Sequence, residues 1–497
     1  MKGYLMALDQ GTTSSRCVIF DHNGNTVASA SKEFPQYFPH EGWVEHNADE
    51  IWESQICCAR LALKKSGLAP AEIAAIGITN QRETVIVWDK ATGKPICPAI
   101  VWQCRRTAAD CERLTREGAA EAVRARTGLP IDPYFSATKL KWILDHVEGA
   151  RARAARRELL FGTVDSFLIY RLTGGKVHAT DPSNAARTLL FNIHTMQWDK
   201  DLLQLFDIPA AMLPEVRPSC GVFGHTDPAL LGAPIPVAGV AGDQQSALFG
   251  QCCFERGAVK NTYGTGGFLL MNTGDTAVTS KNGLLTTVGW QIGDKVTYVL
   301  EGSVFVCGAA IQWLRDGLGL LSTAAESEAV AASVPDTGNV YFVPALTGLG
   351  TPYWDPYARG TIVGLSRGTT RAHIVRATLE AMAFQTIDLL DAMRQDAGVS
   401  IPALRVDGGA SANDLLMQMQ SDFSALPILR PACIETTALG AASLAGLAVG
   451  VFRDLDEIRQ NIAVERTFSP ALPESDRQAR LRDWHRAVER ALKWAEA

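Results

Sequence analysis

The chain lacks a Walker A loop, a protein-kinase catalytic-loop pattern and any GxGxxG that opens a helix. The commonest backbone cradles for nucleotide phosphates are thereby excluded. It also lacks any CxxC: its eleven cysteines are odd in number and scattered, with two adjacent pairs, Cys57-Cys58 and Cys252-Cys253. That usage reads as reduced intracellular thiols, mostly small core residues. Nine histidines show no metal-ligand spacing. There is no basic excess. Lys and Arg number 47 against 53 Asp and Glu, a net charge of -6, which argues against a generic nucleic-acid or anionic-membrane binder. Any anionic ligand must be held by a local site. No uncharged run is both long and apolar enough to span a bilayer; one of the longest, between Glu435 and Arg453, is rich in Gly, Ala and Ser. It reads as close helix packing in a core. The apolar start MKGYLMALD is stopped by Asp9, too early for a signal peptide. A soluble, cytoplasmic protein is expected, with no nucleic-acid partner and no membrane insertion.

What is present is enough for two domains. A chain of 497 residues exceeds one ordinary core, and 47% hydrophobic residues is too many for disorder. Tyr4 to Leu8 and Cys17 to Phe20 read as strands around the turn 9-15, with an Asn23-Gly24 hairpin following. The theme returns loosely later: strand Val259 to Tyr263, turn Gly264-Thr265-Gly266-Gly267, strand Phe268 to Met271. Leu140, Ile143, Leu144 and Val147 recur at helical spacing, as do Val375, Leu379, Met382, Ala383, Leu390 and Met393. Such helices alternate with short β-rich runs, Ile73 to Ile78, Val85 to Trp88 and Leu404 to Val406, which predicts α/β layers. Gly221 to Pro236 reads as an exposed loop, and a charged helix is expected from about Asp476. The crossing between domains is expected near Gly250 to Gly257.

Phosphate chemistry falls to three Gly/Thr-type turns, 9-15, 264-267 and 408-411. Small residues there let backbone N–H groups approach phosphate oxygens. The third, Val406-Asp407-Gly408-Gly409-Ala410-Ser411, follows a strand and precedes a helix beginning near Asn413. It suits a nucleotide lying on a helix start, or is a tight strand-to-helix turn and nothing more. Asp9 ends a strand beside a phosphate-type turn. A carboxylate there repels phosphate unless a hard cation such as Mg2+, held partly through water, lies between them. Asp243, in Ala241-Gly242-Asp243-Gln244-Gln245, ends an apolar run. It is either a proton acceptor for a hydroxyl nucleophile or a helix N-cap.

Five segments now carry a resemblance: Asp9 to Arg16, Asn80 to Thr84, Val101-Trp102-Gln103, Ala241 to Gln245 and Tyr263 to Gly266. With YFSATKLKWILDH from Tyr134 and GTIVGLSRGTTRAHIVRATLE from Gly360, they resemble the glycerol-kinase branch of the FGGY carbohydrate kinases, in order, from residue 4 to at least 450. The resemblance implies two actin-like α/β domains of the ribonuclease-H type with the active site in the cleft between them. These are expected at 1-252 and 253-497. By the same resemblance, Arg82, Glu83, Tyr134, Asp243 and Gln244 hold glycerol's hydroxyls, and Trp102 and Phe268 wall its carbon chain. Thr12, Thr13, Ser14, Arg16, Thr265, Gly308, Gln312, Gly409, Ala410 and Asn413 fall on the nucleotide side. Asp9 and Asp243 place Mg2+ through water.

The chemistry suits those residues. Glycerol offers three hydroxyls and little apolar area, so its pocket needs dense, directional hydrogen bonding. Arg82 offers donors in a rigid fork and Glu83 offers acceptors. On its own an Arg-Glu pair is usually a surface ion pair; the resemblance reverses that reading. ATP-dependent phosphorylation of glycerol is the implied reaction, with Asp243 as base and ATP and Mg2+ bound, in a homodimer or homotetramer. Two rivals stay open: a sister kinase for a pentulose, gluconate or erythritol, and an actin-like ATP-binding scaffold. Gly267 and Cys104 depart from residues common beside the family's contacts. Gly221 to Pro236 does not resemble the Gly/Arg-rich regulatory loop of some members, and the loop histidine phosphorylated in others is not seen.

Overall fold

The computed structural model describes residues 3–495. Tyr4–Gln10 (β1), Ser14–Phe20 (β2) and Thr26–Glu33 (β3) form an antiparallel meander. Asp21 accepts from the backbone N–H groups of Asn23 and Asn25, closing the expected hairpin at Gly24. Helix Ala48–Ser66 (α1) packs on β2 and β3, capped by Asn47 and ended by Gly67 in the left-handed region. Ile73–Asn80 (β4) then runs parallel to β1. Helix Ser136–His146 (α2) belongs to a separate cluster built on Leu140, Ile143 and Leu144, the residues whose spacing predicts it.

Cys220–His225 (β5) and Pro236–Gly242 (β6) complete the first half, β6 parallel to β4 and β5 antiparallel to β6. The expected exposed loop over Gly221 to Pro236 is therefore a strand, a short helix Pro228–Leu231 and a return into β6. Its glycines are compatible with a strand because β5 carries a register shift between Cys220 and Gly224. Phe223 is buried and Val222 is exposed, a period of two that the Gly and Pro content masks. Asp243–Gly250 (α3) follows β6 directly.

The second half repeats the plan. Val259–Tyr263 (β7), Gly267–Gly274 (β8), Leu285–Ile292 (β9) and Lys295–Val304 (β10) form an antiparallel set. After helices Gly308–Asp316 (α4) and Arg371–Ala397 (α5), Leu404–Asp407 (β11) pairs parallel with β7 and Ile428–Pro431 (β12) parallel with β11. Asp414–Ser424 (α6) connects β11 to β12, and Val464–Phe468 (β13) closes the edge. The order β3-β2-β1-β4-β6 in one half thus matches β10's side of the other, β10-β8-β7-β11-β12. The two strand–turn–strand units legible in the sequence, β1-β2 and β7-β8, occupy the same place in each half. A single parallel pairing, Cys220 with Ile292, joins the halves into one 13-stranded sheet.

The uncharged run after Glu435 is helix Thr436–Ala448 (α7). It lies against α3 and against β1, β4 and β6 of the other half. Approach is so close that a Cβ on Gly440 would sit 1.8 Å from the Ser246 carbonyl oxygen, and one on Gly77 2.1 Å from that of Ala441. Small residues are required there by contact with backbone, as the composition of the run implies. The terminal helix spans Glu474–Ala491 (α8). Among the described residues no helix is long and apolar enough to cross a membrane, and all eleven cysteines are free thiols, seven of them buried.

Candidate active site

The first phosphate-type turn joins β1 to β2, whose continuous burial reflects a sheet covered on both faces. Gly11 N–H bonds the Ser14 carbonyl at 3.0 Å, tightening the turn. A cavity of about 200 Å³ is lined by Asp9, Gly11, Ser14 and Arg16 from this turn. Its other wall comes from the second half: Thr262, Asp407, Gly408 and the segment Ile434 to Thr437. Arg16 forms an ion pair with Glu435 across it. Thr12 faces the other way: its hydroxyl accepts the Trp102 indole N–H at 3.0 Å. Thr13 is exposed.

The expected nucleotide residues of the second half fall into two neighbouring groups at the ends of β7 and β11. Gly264 and Thr265 dock on the start of α4, their carbonyls accepting N–H groups of Gly308 and Ala309 at 2.9 and 3.1 Å. Gln312 is exposed one turn further along that helix. Gly408, at φ +84°, brings its Cα against Tyr263, where a Cβ would lie 2.5 Å from the carbonyl oxygen. Gly409 by contrast has open space where a Cβ would stand, and Ala410 is half-buried in the same turn. Asn413 caps α6, accepting the Leu416 N–H at 2.9 Å. The helix start expected near Asn413 is thus observed.

The expected substrate residues gather where Arg82 and Glu83, just after β4, and Asp243, just after β6, meet Glu301 of β10. Arg82 and Glu83 are buried, 3% and 1% exposed, and so are no surface pair. The Arg82 fork, offered by the sequence reading to substrate hydroxyls, is gripped by Glu301 at 2.5 and 3.0 Å. Its Nε lies 3.2 Å from Asp243 Oδ1, and Nη2 donates to the Tyr134 hydroxyl at 3.5 Å. Glu83 Oε1 accepts from Arg187 Nε at 2.5 Å. Glu83 also holds φ +61°, an uncommon conformation for a residue with a Cβ; such conformations cluster at functional sites. Burial pushes the Glu301 carboxyl up, but Arg187 and Arg82 outweigh it and hold it down at about 2.

Tyr134 is fixed from both sides. Trp102 meets its ring edge-on at 5.5 Å, and Lys139, fully buried, donates to the carbonyls of Pro133, Tyr134 and Phe135 at 3.0, 2.6 and 2.8 Å. Gln244 accepts from Lys260 Nζ at 2.6 Å, a second buried lysine. Phe268, in β8, is half-buried against the cluster of Leu270, Trp290 and Val299. Asp243 is the first residue of α3; the cap position is Gly242 and no side chain fills it.

Comparison with known proteins agrees with this geometry. Residues 4–250 match the N-terminal domain, and residues 259–449 the C-terminal domain, of the FGGY family of carbohydrate kinases. The chain belongs to that family. It is 60% identical over 496 residues to a glycerol kinase of Caldanaerobacter subterraneus, covering 100% of both chains. Among solved structures it is similar to Plasmodium falciparum glycerol kinase with ADP, at TM-score 0.92 and 35% identity over 98% of each chain. A gluconate kinase of Lactobacillus acidophilus shares the fold at TM-score 0.86 and 24% identity, covering 98% of this chain and 96% of that one. The fold is the family's: two actin-like α/β domains facing a cleft.

The family's kinase chemistry raises the question of a divalent cation; among the described residues no three His, Cys, Asp or Glu side chains form a direct metal cluster, so only a cation held through water comes into question. Burial pushes the Asp9 carboxyl up to about 7; Asp243 and Glu435 add to the rise against the pull of Arg16. Asp407 Oδ2 accepts from Gln251 and Thr436 at 3.1 and 2.6 Å, while Oδ1 is buried with no partner among the described residues. Carboxylates crowded and under-satisfied beside a phosphate-type turn fit Mg2+ held through its waters.

Sequence reasoning missed Arg187, Lys260, Glu301 and Asp407. Glu301 is the one charge in the apolar run Val296 to Phe305, and Lys260 is alone between Val259 and Asn261. Single charges inside core strands were the available signal.

Proposed function

We propose that the protein phosphorylates glycerol with ATP and Mg2+, giving sn-glycerol 3-phosphate and ADP. The observation that carries this is the buried set Arg82, Glu83 and Gln244, with half-buried Tyr134, beside Asp243, on the cleft that also holds the phosphate-type turns. A small polyol needs such dense, directional polar groups. The substrate named for the full-length relatives, glycerol, supplies the identity of the polyol, and the ADP of the Plasmodium structure supplies the nucleotide class.

In this reading the terminal hydroxyl loses its proton to the Asp243 carboxylate as its oxygen bonds the γ-phosphorus and the bond to the β-phosphate oxygen breaks. Arg82 Nε orients that carboxylate. Ser14, with Gly408 opposite, offers backbone donors to the phosphates. Asp9 and Asp243 would hold Mg2+ through water, and bound Mg2+ supplies neutralisation of developing phosphate charge. Alignment of two substrates in a closed, dry cleft supplies the rest.

A coupled assay over glycerol, the propanediols, erythritol and xylulose tests the reading. Loss of one hydroxyl leaves a buried group unpaired at about 1–3 kcal/mol, so propanediols should be poorer by one to two decades. Equal turnover of propanediols, or a preference for xylulose, overturns it. ADP release independent of added polyol would favour the actin-like scaffold.

A further inference from the structure

Arg82, Glu301, Arg187 and Glu83 form a closed ring of alternating charge. Arg82 meets Glu301 at 2.5 Å, Glu301 meets Arg187 at 3.1 Å, Arg187 meets Glu83 at 2.5 Å, and Glu83 returns to Arg82 at 3.8 Å. All four side chains are 2% exposed or less. We propose that Glu301 and Arg187 are positioning residues for the polyol: they fix the groups that touch it and tie that half of the pocket to the second domain.

The ring divides by origin. Arg82, Glu83 and Arg187 come from the first half, whereas Glu301 stands in β10, paired on one side with Leu270 and on the other with Leu285. A residue in the middle of three paired strands has little freedom, so Glu301 sets the plane of the Arg82 fork. Both of its oxygens are used, Oε2 by Arg82 and Oε1 by Arg82 and Arg187. Arg187 in turn holds two substrate groups: Glu83 through Nε, and Tyr134 by stacking its guanidinium 5.6 Å from the ring centre. Every one of Arg82, Glu83 and Tyr134 is therefore touched by Arg187 or Glu301. Arg187 Nη1 is buried with no partner among the described residues. A purely structural plug would be expected to saturate its donors; this one keeps a donor in reserve beside the polar pocket.

The bidentate contact has a functional consequence. With Glu301 occupying the terminal nitrogens, Arg82 presents its remaining N–H directions toward Asp243, Gln245 and Tyr134 at 3.2, 3.2 and 3.5 Å. A fork released from Glu301 would turn toward Asp243 and compete for the proton acceptor. Neither Glu301 nor Arg187 lines the cavity at the phosphate-type turns, so loss of either should act on polyol binding and spare the nucleotide.

The proposal rests on glycerol as substrate, and wild-type turnover in the same assay checks that separately. If wild type prefers another polyol, the variants are compared on that polyol instead. Glu301→Gln and Arg187→Lys in the full chain are expected to raise the polyol KM at least about tenfold, with the ATP KM within about twofold. Calorimetric polyol affinity should fall in parallel. Unchanged polyol KM and affinity with only a lowered melting temperature would reduce the ring to a structural brace and overturn the proposal, as would equal rises in both KM values. Arg187→Lys keeps the buried charge and decides the matter should Glu301→Gln not fold.

Discussion

Trp102 donates its indole N–H to the Thr12 hydroxyl at 3.0 Å, so the ring proposed to wall the polyol and the first phosphate-type turn are one hydrogen-bonded unit. The same ring meets Tyr134 at 5.5 Å, and Tyr134 meets Arg82. Three groups proposed for the polyol, Trp102, Tyr134 and Arg82, are thus linked in a chain to the turn between β1 and β2. Resemblance assigns Thr12 to the nucleotide; its hydroxyl in this structure is committed to Trp102.

That link can be measured. Trp102→Phe keeps the ring without the donor, and Thr12→Val keeps the shape without the acceptor. Each should raise the KM values for polyol and ATP together, by roughly fivefold for one hydrogen bond worth about 1 kcal/mol. The double variant should be little worse than either single, because both remove the same bond. Additive effects would show that the two residues act independently.

Asp243→Asn separates proton acceptance from a structural role. The amide keeps size and hydrogen bonding, so polyol affinity by calorimetry should change little. Turnover should fall on the order of 10²–10⁴-fold, the range of a general base. Asparagine is an equally good helix cap, but Gly242 holds the cap position here and no side-chain bond fills it. Near-normal turnover in the variant would remove the proton-acceptor role and leave Asp9 as the carboxylate to test.

Asp9 carries a pH signature. Its carboxyl titrates near 3.8 in an unfolded chain and is raised to about 7 in the fold by burial. Between those values the folded chain holds a proton that the unfolded chain has released, so stability falls as pH rises through the window. Asp9→Asn abolishes that loss. Without Mg2+ or nucleotide, the variant should be more stable than wild type at pH 8 by on the order of 1–3 kcal/mol, and the gap should shrink toward pH 4. A difference in melting temperature that ignores pH would show that Asp9 is ionised throughout.

The fold was legible where local pattern decides it. β1, β7 and β11 are short apolar runs closed by Gly/Thr turns, and α2 and α5 follow helical spacing. The β5 region was not, because a register shift and three glycines hide its alternation. The site was legible where residues adjoin in sequence, as Arg82 and Glu83 do. Arg82 and Glu301 are 219 positions apart, and nothing local states that one strand's lone carboxylate meets that arginine. Burial converts the pair from unremarkable letters into a two-point contact within the ring, since two buried charges must find each other.

Two glycines separate ligand space from packing space. Gly440 faces backbone: a Cβ there would stand 1.8 Å from the Ser246 carbonyl oxygen, in the crossing of α7 over α3. Neither helix can yield without losing contact with the sheet, so Gly440→Ala should lower stability by at least about 1–3 kcal/mol, read as a lower urea midpoint. Gly409 faces nothing: a Cβ there meets no atom within 4 Å, and its φ is not in the left-handed region. Gly409→Leu should therefore leave the unfolding free energy from urea titration within about 0.5 kcal/mol of wild type. If that open space is where the nucleotide lies on the turn before α6, the added side chain should raise the ATP KM by a decade or more while leaving the polyol KM unchanged. Asn413→Ala is a less clean probe, because Asn413 also caps α6 and its loss adds about 1 kcal/mol of destabilisation. A Gly409→Leu protein with normal stability and a normal ATP KM would move the nucleotide off this turn and toward the Gly264–Gly308 contact alone.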